Sequence, residues 1–246
     1  MHRFFAGSRD GDTLTFTGED AHHAVRVLRL KAGDEITCYH EGMAFACTLT
    51  SVSENACTAR ILSVLPSTEP GLQITLFQGL PKADKMDLIV QKCVELGVVR
   101  IVPVMMSRCV AQPGKSLDGK LERWTRIARE ACKQSGRSRL VTLESPLPLS
   151  ALRDEFSAMD AVLVPWEEAH AVSLARAVCA CPEALDIAVV IGPEGGMTPE
   201  EVAAFQAAGA VPVTMGPRIF RTETAGLAAL IMLLYERGEY GAAEVD

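Results

Sequence analysis

AVVIGPEGGMTPEEVAAF, residues 188–205, joins a strand, a glycine-rich turn and the start of a helix. Its apolar run extends from Ile187 to Ile191 without a polar break, the composition of a strand buried on both faces. Residues 192–196 then place three glycines and a proline in five positions. Thr-Pro-Glu-Glu follows: Thr198 is a good helix N-cap, Pro199 suits the first turn, and Glu201 completes a capping box. Capping explains neither Gly195 nor Gly196. Glycines there permit positive φ and let a ligand approach the backbone amides closely, and in an open parallel sheet ligands bind beyond the carboxyl ends of strands.

A second loop repeats the theme. MGPRIFRTETAG, residues 215–226, leaves a short strand at 211–215 and enters a helix expected over 223–237. That helix, AGLAALIMLLY at its centre, is apolar nearly all round and should be buried. Arg221 and Glu223 at its mouth either pair with each other or serve a site, because buried charge is costly unless paired or used.

Further upstream the same alternation continues: strand 72–77, helix 82–96, strand 98–104, a basic helix near 121–134, strand 161–164 and a helix near 169–180. Strands alternating with helices imply a parallel α/β sheet. LPSTEPG, residues 65–71, has the composition of a linker. Before it, segments 13–17, 35–40, 43–52 and 56–64 read as short β-strands, with a short helix in AHHAVRVLRLKAGDE. The expected domains are therefore a small β-rich module over 1–68 and an α/β domain over 69–246.

The 246 residues, 48% hydrophobic, suffice for a large domain plus a small one. No run is long and apolar enough for a membrane span and MHRFFAGSRDGD lacks a signal core, so a cytoplasmic protein without membrane partners is expected. Eight scattered cysteines lack zinc spacing and read as reduced, mostly buried residues; no metal is expected. A net charge of -7 argues against indiscriminate coating of nucleic acid. Yet residues 106–140 hold nine basic residues, Lys115 among them, against three acidic ones. Arg123, Arg126, Arg129 and Lys133 recur at helical spacing and share a face, either solvated or phosphate-binding.

Neither glycine loop is a Gly-x-Gly-x-x-Gly fingerprint or a P-loop. A backbone-lined pocket without a phosphate-neutralising lysine suits a ligand held by its base and its amino-acid end. S-adenosyl-L-methionine fits that description.

At these residues the chain resembles the SPOUT class of knotted RNA methyltransferases, in particular the bacterial 16S rRNA uracil-N3 methyltransferases of the RsmE type. The likeness rests on GPEGGMTPEE and MGPRIFRTETA, and extends through MHRFF, AHHAVRVLRLKAGDEI, QGLPKADKMDLIVQKCVELGVVRIVPV and RWTRIAREACKQSGR. It implies an N-terminal PUA-like β-barrel, an α/β domain ending in a deep trefoil knot, and a homodimer built through the knotted domains. It also implies S-adenosylmethionine held by Gly192, Pro193, Glu194, Gly195 and Gly196, by Met215, Gly216, Ile219, Phe220 and Arg221, and near Trp166 and Glu167. Met215 and Phe220 stand where leucine is commoner and Trp166 where tyrosine is, which leaves the backbone contacts intact.

The implied reaction is methylation of N3 of a uridine in 16S rRNA during maturation of the small ribosomal subunit. Arg221 would face the developing negative charge, with Glu223 orienting it or accepting the proton. Arg108 would serve RNA or catalysis. Arg3, His22, His23, Arg26 and Arg29 would join Arg123, Arg126, Arg129, Lys133 and Arg137 as the RNA surface. Other readings are an assembly factor without activity, a small-molecule enzyme, and a methyltransferase for ribose 2'-hydroxyls or tRNA.

Overall fold

The computed structural model describes residues 2–110 and 117–240, with the backbone alone at 117 and 118; Lys115 lies outside the described residues. The chain divides into two compact units, Met1–Glu69 with Cys132–Leu140, and Pro70–Ala131 with Val141–Asp246. The first therefore takes in a segment that the linker at 65–71 does not delimit.

In the first unit, β1 (His2–Phe5), β2 (Ser8–Asp10), β3 (Thr13–Thr17), β4 (Glu35–His40), β5 (Met43–Val52) and β6 (Ala56–Leu65) form one sheet in the order β1-β4-β5-β6-β3-β2. Among the described residues of this sheet, only β1 and β4 pair in parallel. Glu41 and Gly42 join β4 to β5 with φ of 48° and 77°, the left-handed pair that a two-residue hairpin turn demands. Alternation buries Leu14, Phe16, Ile36, Cys38, Phe45 and Cys47, and Phe4 stacks on Phe16 at 4.5 Å. The helix expected within residues 21–35 starts earlier, as α1 (Gly18–His22), and continues as a π-helical turn at His23–Val27. Two side chains from the Cys132–Leu140 segment complete this unit. Lys133 Nζ lies 2.5 Å from Oδ1 of the buried Asp20, and the buried Arg137 donates through Nε and Nη2 to Oε2 of Glu69 at 3.0 and 2.7 Å.

The second unit runs β7 (Gln73–Gly79), α2 (Lys85–Glu95), β8 (Arg100–Met105), α3 (Leu117–Ser135), β9 (Thr142–Leu143), β10 (Leu147–Pro148), α4 (Leu152–Phe156), β11 (Ala161–Pro165), α5 (Leu174–Cys179), β12 (Asp186–Ile191), α6 (Pro199–Ala207), β13 (Val211–Val213) and α7 (Thr222–Glu236). The last residues of α3 belong to the first unit. The strands pair in parallel in the order β10-β8-β7-β12-β11-β13, with β9 beside β8. The central β7 and β12 are buried along nearly their whole length, as strands covered on both faces must be. One core is centred on edge-packed Phe77, Phe156 and Phe205, with ring centroids 5.7 Å apart in each pair.

Two expectations change. The helix near 169–180 begins only at Leu174, because Ser173 caps it by accepting the Arg176 N–H at 3.2 Å. Helix α7 is not buried all round: it packs on α2, α5 and β12, yet Ile231, Met232 and Tyr235 are exposed, Tyr235 by 71%.

Candidate functional site

The chain passes from β7 outward to β8 and β10, then crosses to place β12, β11 and β13 on the other side. Such a reversal opens a crevice at the carboxyl ends of the strands. Loops after β11, β12 and β13 enclose a cavity of about 830 Å³ there, within the range of sites that take a drug-sized ligand. Trp166 and Glu167 come from the first loop, Ile191 to Met197 from the second, and Thr214 to Arg221 from the third.

The glycine turn after β12 is shaped largely by the protein itself. Its Gly196 N–H donates to the Pro193 carbonyl at 2.9 Å, with Gly196 at φ +70°. A Cβ on Gly195 would lie 2.9 Å from Cβ of Arg108, and one on Gly196 would lie 2.7 Å from Oε1 of Glu167. The bare backbone thus admits Arg108 and Glu167, a packing reason that the sequence did not reveal. Gly79, at the end of β7, is equally constrained: a Cβ there would lie 2.6 Å from the Pro193 nitrogen. Gly216 differs, with φ +102° and open space where a Cβ would stand.

A buried polar chain fixes the turn from below. Gln78 Nε2 donates to Thr222 Oγ1 at 2.9 Å, and Thr222 Oγ1 donates to the Gly192 carbonyl at 2.7 Å. From the side, Arg108 Nη1 donates to the Gly195 carbonyl at 3.0 Å. The capping box of α6 forms as its sequence requires, with Thr198 Oγ1 accepting the Glu201 N–H at 3.2 Å and Glu201 Oε2 accepting the Thr198 N–H at 2.8 Å. The second oxygen of Glu201 accepts the N–H and hydroxyl of Ser107 at 2.8 and 2.9 Å. The exit of β8 is thereby fastened to the turn and to the helix behind it.

Lys85, on the first turn of α2, carries the main electrostatic feature. Its Nζ lies 3.2 Å from Glu194 Oε1 and 2.9 Å from Glu223 Oε2. The hydrogen bond and charge of Lys85 hold the Glu223 carboxyl below its ordinary value, with smaller help from its own backbone N–H and from Arg221. Burial works to raise the Glu194 pKa, but its own backbone N–H, the Lys82 N–H and Lys85 together leave it lowered. Lys85 is correspondingly raised, chiefly by its bond to Glu223. Sequence reasoning missed Lys85; the only available signal was a lysine one position before the apolar stripe of α2.

A family model for an RNA methyltransferase domain matches residues 68–234, and one for an RNA methyltransferase PUA domain matches residues 16–62. The chain belongs to the RNA methyltransferase family. This methyltransferase is 33% identical over 234 residues to ribosomal RNA small subunit methyltransferase E of Bacillus subtilis, covering 92% of this chain and 91% of that one. It is 32% identical to the protein of the same name from Mycobacterium tuberculosis, over 96% of this chain and 92% of that one. Among solved structures, that of the Neisseria gonorrhoeae small subunit methyltransferase E bound to S-adenosyl methionine superposes with a TM-score of 0.82 at 30% identity, over 96% and 97% of the two chains.

Of the residues expected at the site, the methyltransferase brings Trp166, Glu167, residues 192–196, Met215, Gly216, Ile219, Phe220 and Arg221 to the wall of one cavity, which Pro217, Arg218, His170 and Lys85 also line. Ile219 is 83% exposed at its rim. Glu223 lies behind that wall on Lys85, so it does not pair with Arg221, which stands exposed as the N-cap of α7. Arg108 is not among the residues lining the cavity; it bonds the glycine turn through the Gly195 carbonyl.

The expected RNA surface divides. His22, Arg26, Arg29 and Arg126 are exposed, Arg26 bridging to an exposed Glu54 at 2.5 Å. His23 and Arg129 are half-buried. Arg123 is held by Asp87 and, at 3.5 Å, by Asp84. Arg3, Lys133 and Arg137 leave the proposed surface. Arg3 Nη1 donates to the carbonyls of Lys133 and Gln134 at 2.8 and 2.6 Å, while Lys133 and Arg137 neutralise Asp20 and Glu69. Helical spacing grouped Lys133 with Arg123, Arg126 and Arg129 and could not show that an acid distant in sequence, Asp20, would claim it.

Proposed function

We propose that this methyltransferase transfers the methyl group of S-adenosylmethionine to N3 of a uridine in 16S rRNA, as a step in maturation of the small ribosomal subunit. The observation that carries the reading is the cavity at the ends of β11, β12 and β13, where the two glycine-bearing loops meet Trp166, Glu167 and Lys85. It sits in a chain similar along almost its whole length to small subunit methyltransferases E.

The residues fit that cofactor. The Trp166 indole N–H is buried without a hydrogen-bond partner among the described residues, Gly216 leaves open space beside its backbone, and the volume accommodates a nucleoside joined to an amino acid. Residues 192–196, Met215, Gly216, Ile219 and Phe220 would hold it, with Trp166 and Glu167. When bound, S-adenosylmethionine supplies an electrophilic methyl on a sulfonium.

For the transfer, the N3–carbon bond forms as the sulfur–carbon bond breaks, and the N3 proton leaves. That proton occupies the pairing edge, so the base must be unpaired or flipped. The exposed guanidinium of Arg221 at the cavity rim serves to stabilise the developing imide anion. Glu223, kept ionised by Lys85, is a poor proton acceptor near neutral pH, so solvent takes the proton as the anion forms.

The first unit serves as the module that helps hold RNA, together with Arg126 on α3. The exposed Ile231, Met232 and Tyr235 of α7 form the subunit contact of a homodimer, and the loops around the cavity belong to a knotted chain. No helix among the described residues is long and apolar enough to cross a membrane; action in the cytoplasm is part of the proposal. Mass spectrometry of rRNA nucleosides from cells with and without the chain tests the reaction. Loss of 3-methyluridine is the expected result, and an unchanged level refutes it.

A further inference from the structure

We propose that Lys85 is a positioning residue, a clasp that fastens the loop after β12 to the loop after β13 through Glu194 and Glu223. The role rests on the S-adenosylmethionine reading, since those loops are the ones that would hold the cofactor.

Glu194 lies within the glycine turn, and Glu223 lies two residues beyond Arg221, where the second loop becomes α7. One ammonium stands between the two carboxylates at 3.2 and 2.9 Å. Remove it, and two like charges face each other across the seam between the loops with nothing to draw them together. All three side chains are mostly shielded, at 29%, 23% and 20% exposed, so water screens the contact only in part.

A clasp works only from a fixed base, and Lys85 has one. Lys82 donates its N–H to both oxygens of Glu194 at 3.0 and 3.3 Å, tying the start of α2 to the glycine turn a second time. On the outer side, Asp87 Oδ1 accepts the Trp124 indole N–H at 3.1 Å, and Asp84 and Asp87 both engage Arg123 of α3. Ala83 between these anchors holds φ at +53°, a conformation that alanine adopts only where its surroundings impose it. Lys85 and Glu194 also line the cavity, and comparing a charged with an uncharged ligand separates the clasp's action through loop position from a direct effect of its charges.

The test is calorimetric binding of S-adenosylmethionine and of S-adenosylhomocysteine, its product without the sulfonium charge, alongside thermal unfolding. Lys85→Met is expected to weaken both ligands about tenfold and by equal factors. Lys85→Arg should remain within about threefold of wild type, and Lys85→Met with Glu223→Gln should recover most of the loss, because one of the facing charges is gone. Glu223→Gln alone, which opens one end of the clasp at constant volume, should weaken both ligands a few-fold and carries the test if Lys85→Met does not fold. Wild-type affinity in Lys85→Met, loss of one ligand only, or a lowered unfolding midpoint with unchanged affinities would each overturn the clasp while the cofactor reading stands. Absence of binding by the wild type overturns both.

Discussion

Arg108 and Gly195 touch at two levels: the guanidinium donates to the glycine carbonyl at 3.0 Å, and the arginine Cβ stands 2.9 Å from where a Cβ on Gly195 would be. The absence of a side chain at 195 is therefore a packing requirement of the protein. Gly195→Ala is expected to destabilise the fold by about 1–3 kcal/mol, the usual range for overpacking, and to weaken cofactor binding about tenfold. Adding Arg108→Gly should restore part of both. Calorimetry and chemical unfolding check this, and a fully stable, tightly binding Gly195→Ala protein counts against it.

Glu223 sets a pH expectation. A carboxyl whose pKa is lowered on folding contributes stability above its unfolded value, and that contribution fades as pH falls through the folded value. Lys85 lowers Glu223, so this part of the stability is complete at neutral pH and disappears only below the ordinary glutamate range, under about pH 4. Single-turnover rates between pH 6 and 9 should show no inflection belonging to Glu223. An inflection in wild type that vanishes in Glu223→Gln would make it the base after all.

Lys133 and Asp20 form a buried pair, 11% and 3% exposed. Breaking such a pair from one side leaves a charge inside, at a typical cost of about 3–5 kcal/mol. Lys133→Ala should show a loss of that order in urea unfolding. RNA binding by the folded fraction should retain its salt dependence, since Lys133 faces inward.

Arg126 is the contrasting case, exposed on the same helix. Arg126→Ala should leave stability within about 0.5 kcal/mol and lower the slope of log affinity against log salt by roughly one phosphate contact. An unchanged slope would remove Arg126 from the RNA surface.

Tyr235 tests the proposed dimer. Replacing Tyr235 by Glu puts a charge on the exposed apolar face of α7, and light scattering should then report a monomer where the wild type gives a dimer.

The strands legible in the sequence were those with enough residues to show a period. TLTFT and the ten-residue β5 and β6 alternate, and AVVI is uniformly apolar. HRFF, SRD and the two-residue β9 and β10 carry no period at all; they are strands only because a neighbour pairs with them. The site was legible wherever backbone conformation left a mark, as at Gly196 and the capping box of Thr198. It was illegible at Lys85, Ser107 and Gly79, whose partners lie far along the chain and whose residue types are ordinary. Charge was the most deceptive signal: spacing grouped Arg123, Arg126, Arg129 and Lys133 on one face, and acids elsewhere, Asp87 and Asp20 among them, decided which of them kept that role.

The discontinuity of the first unit bears on how the chain comes off the ribosome. Its opening 69 residues emerge with Asp20 and Glu69 in place, but the cations that neutralise them, Lys133 and Arg137, are translated more than sixty residues later. At about 5–20 residues per second, seconds pass with the nascent module incomplete. An N-terminal fragment cut at the linker should remain only loosely folded, and adding the 132–140 segment as a separate peptide should tighten it.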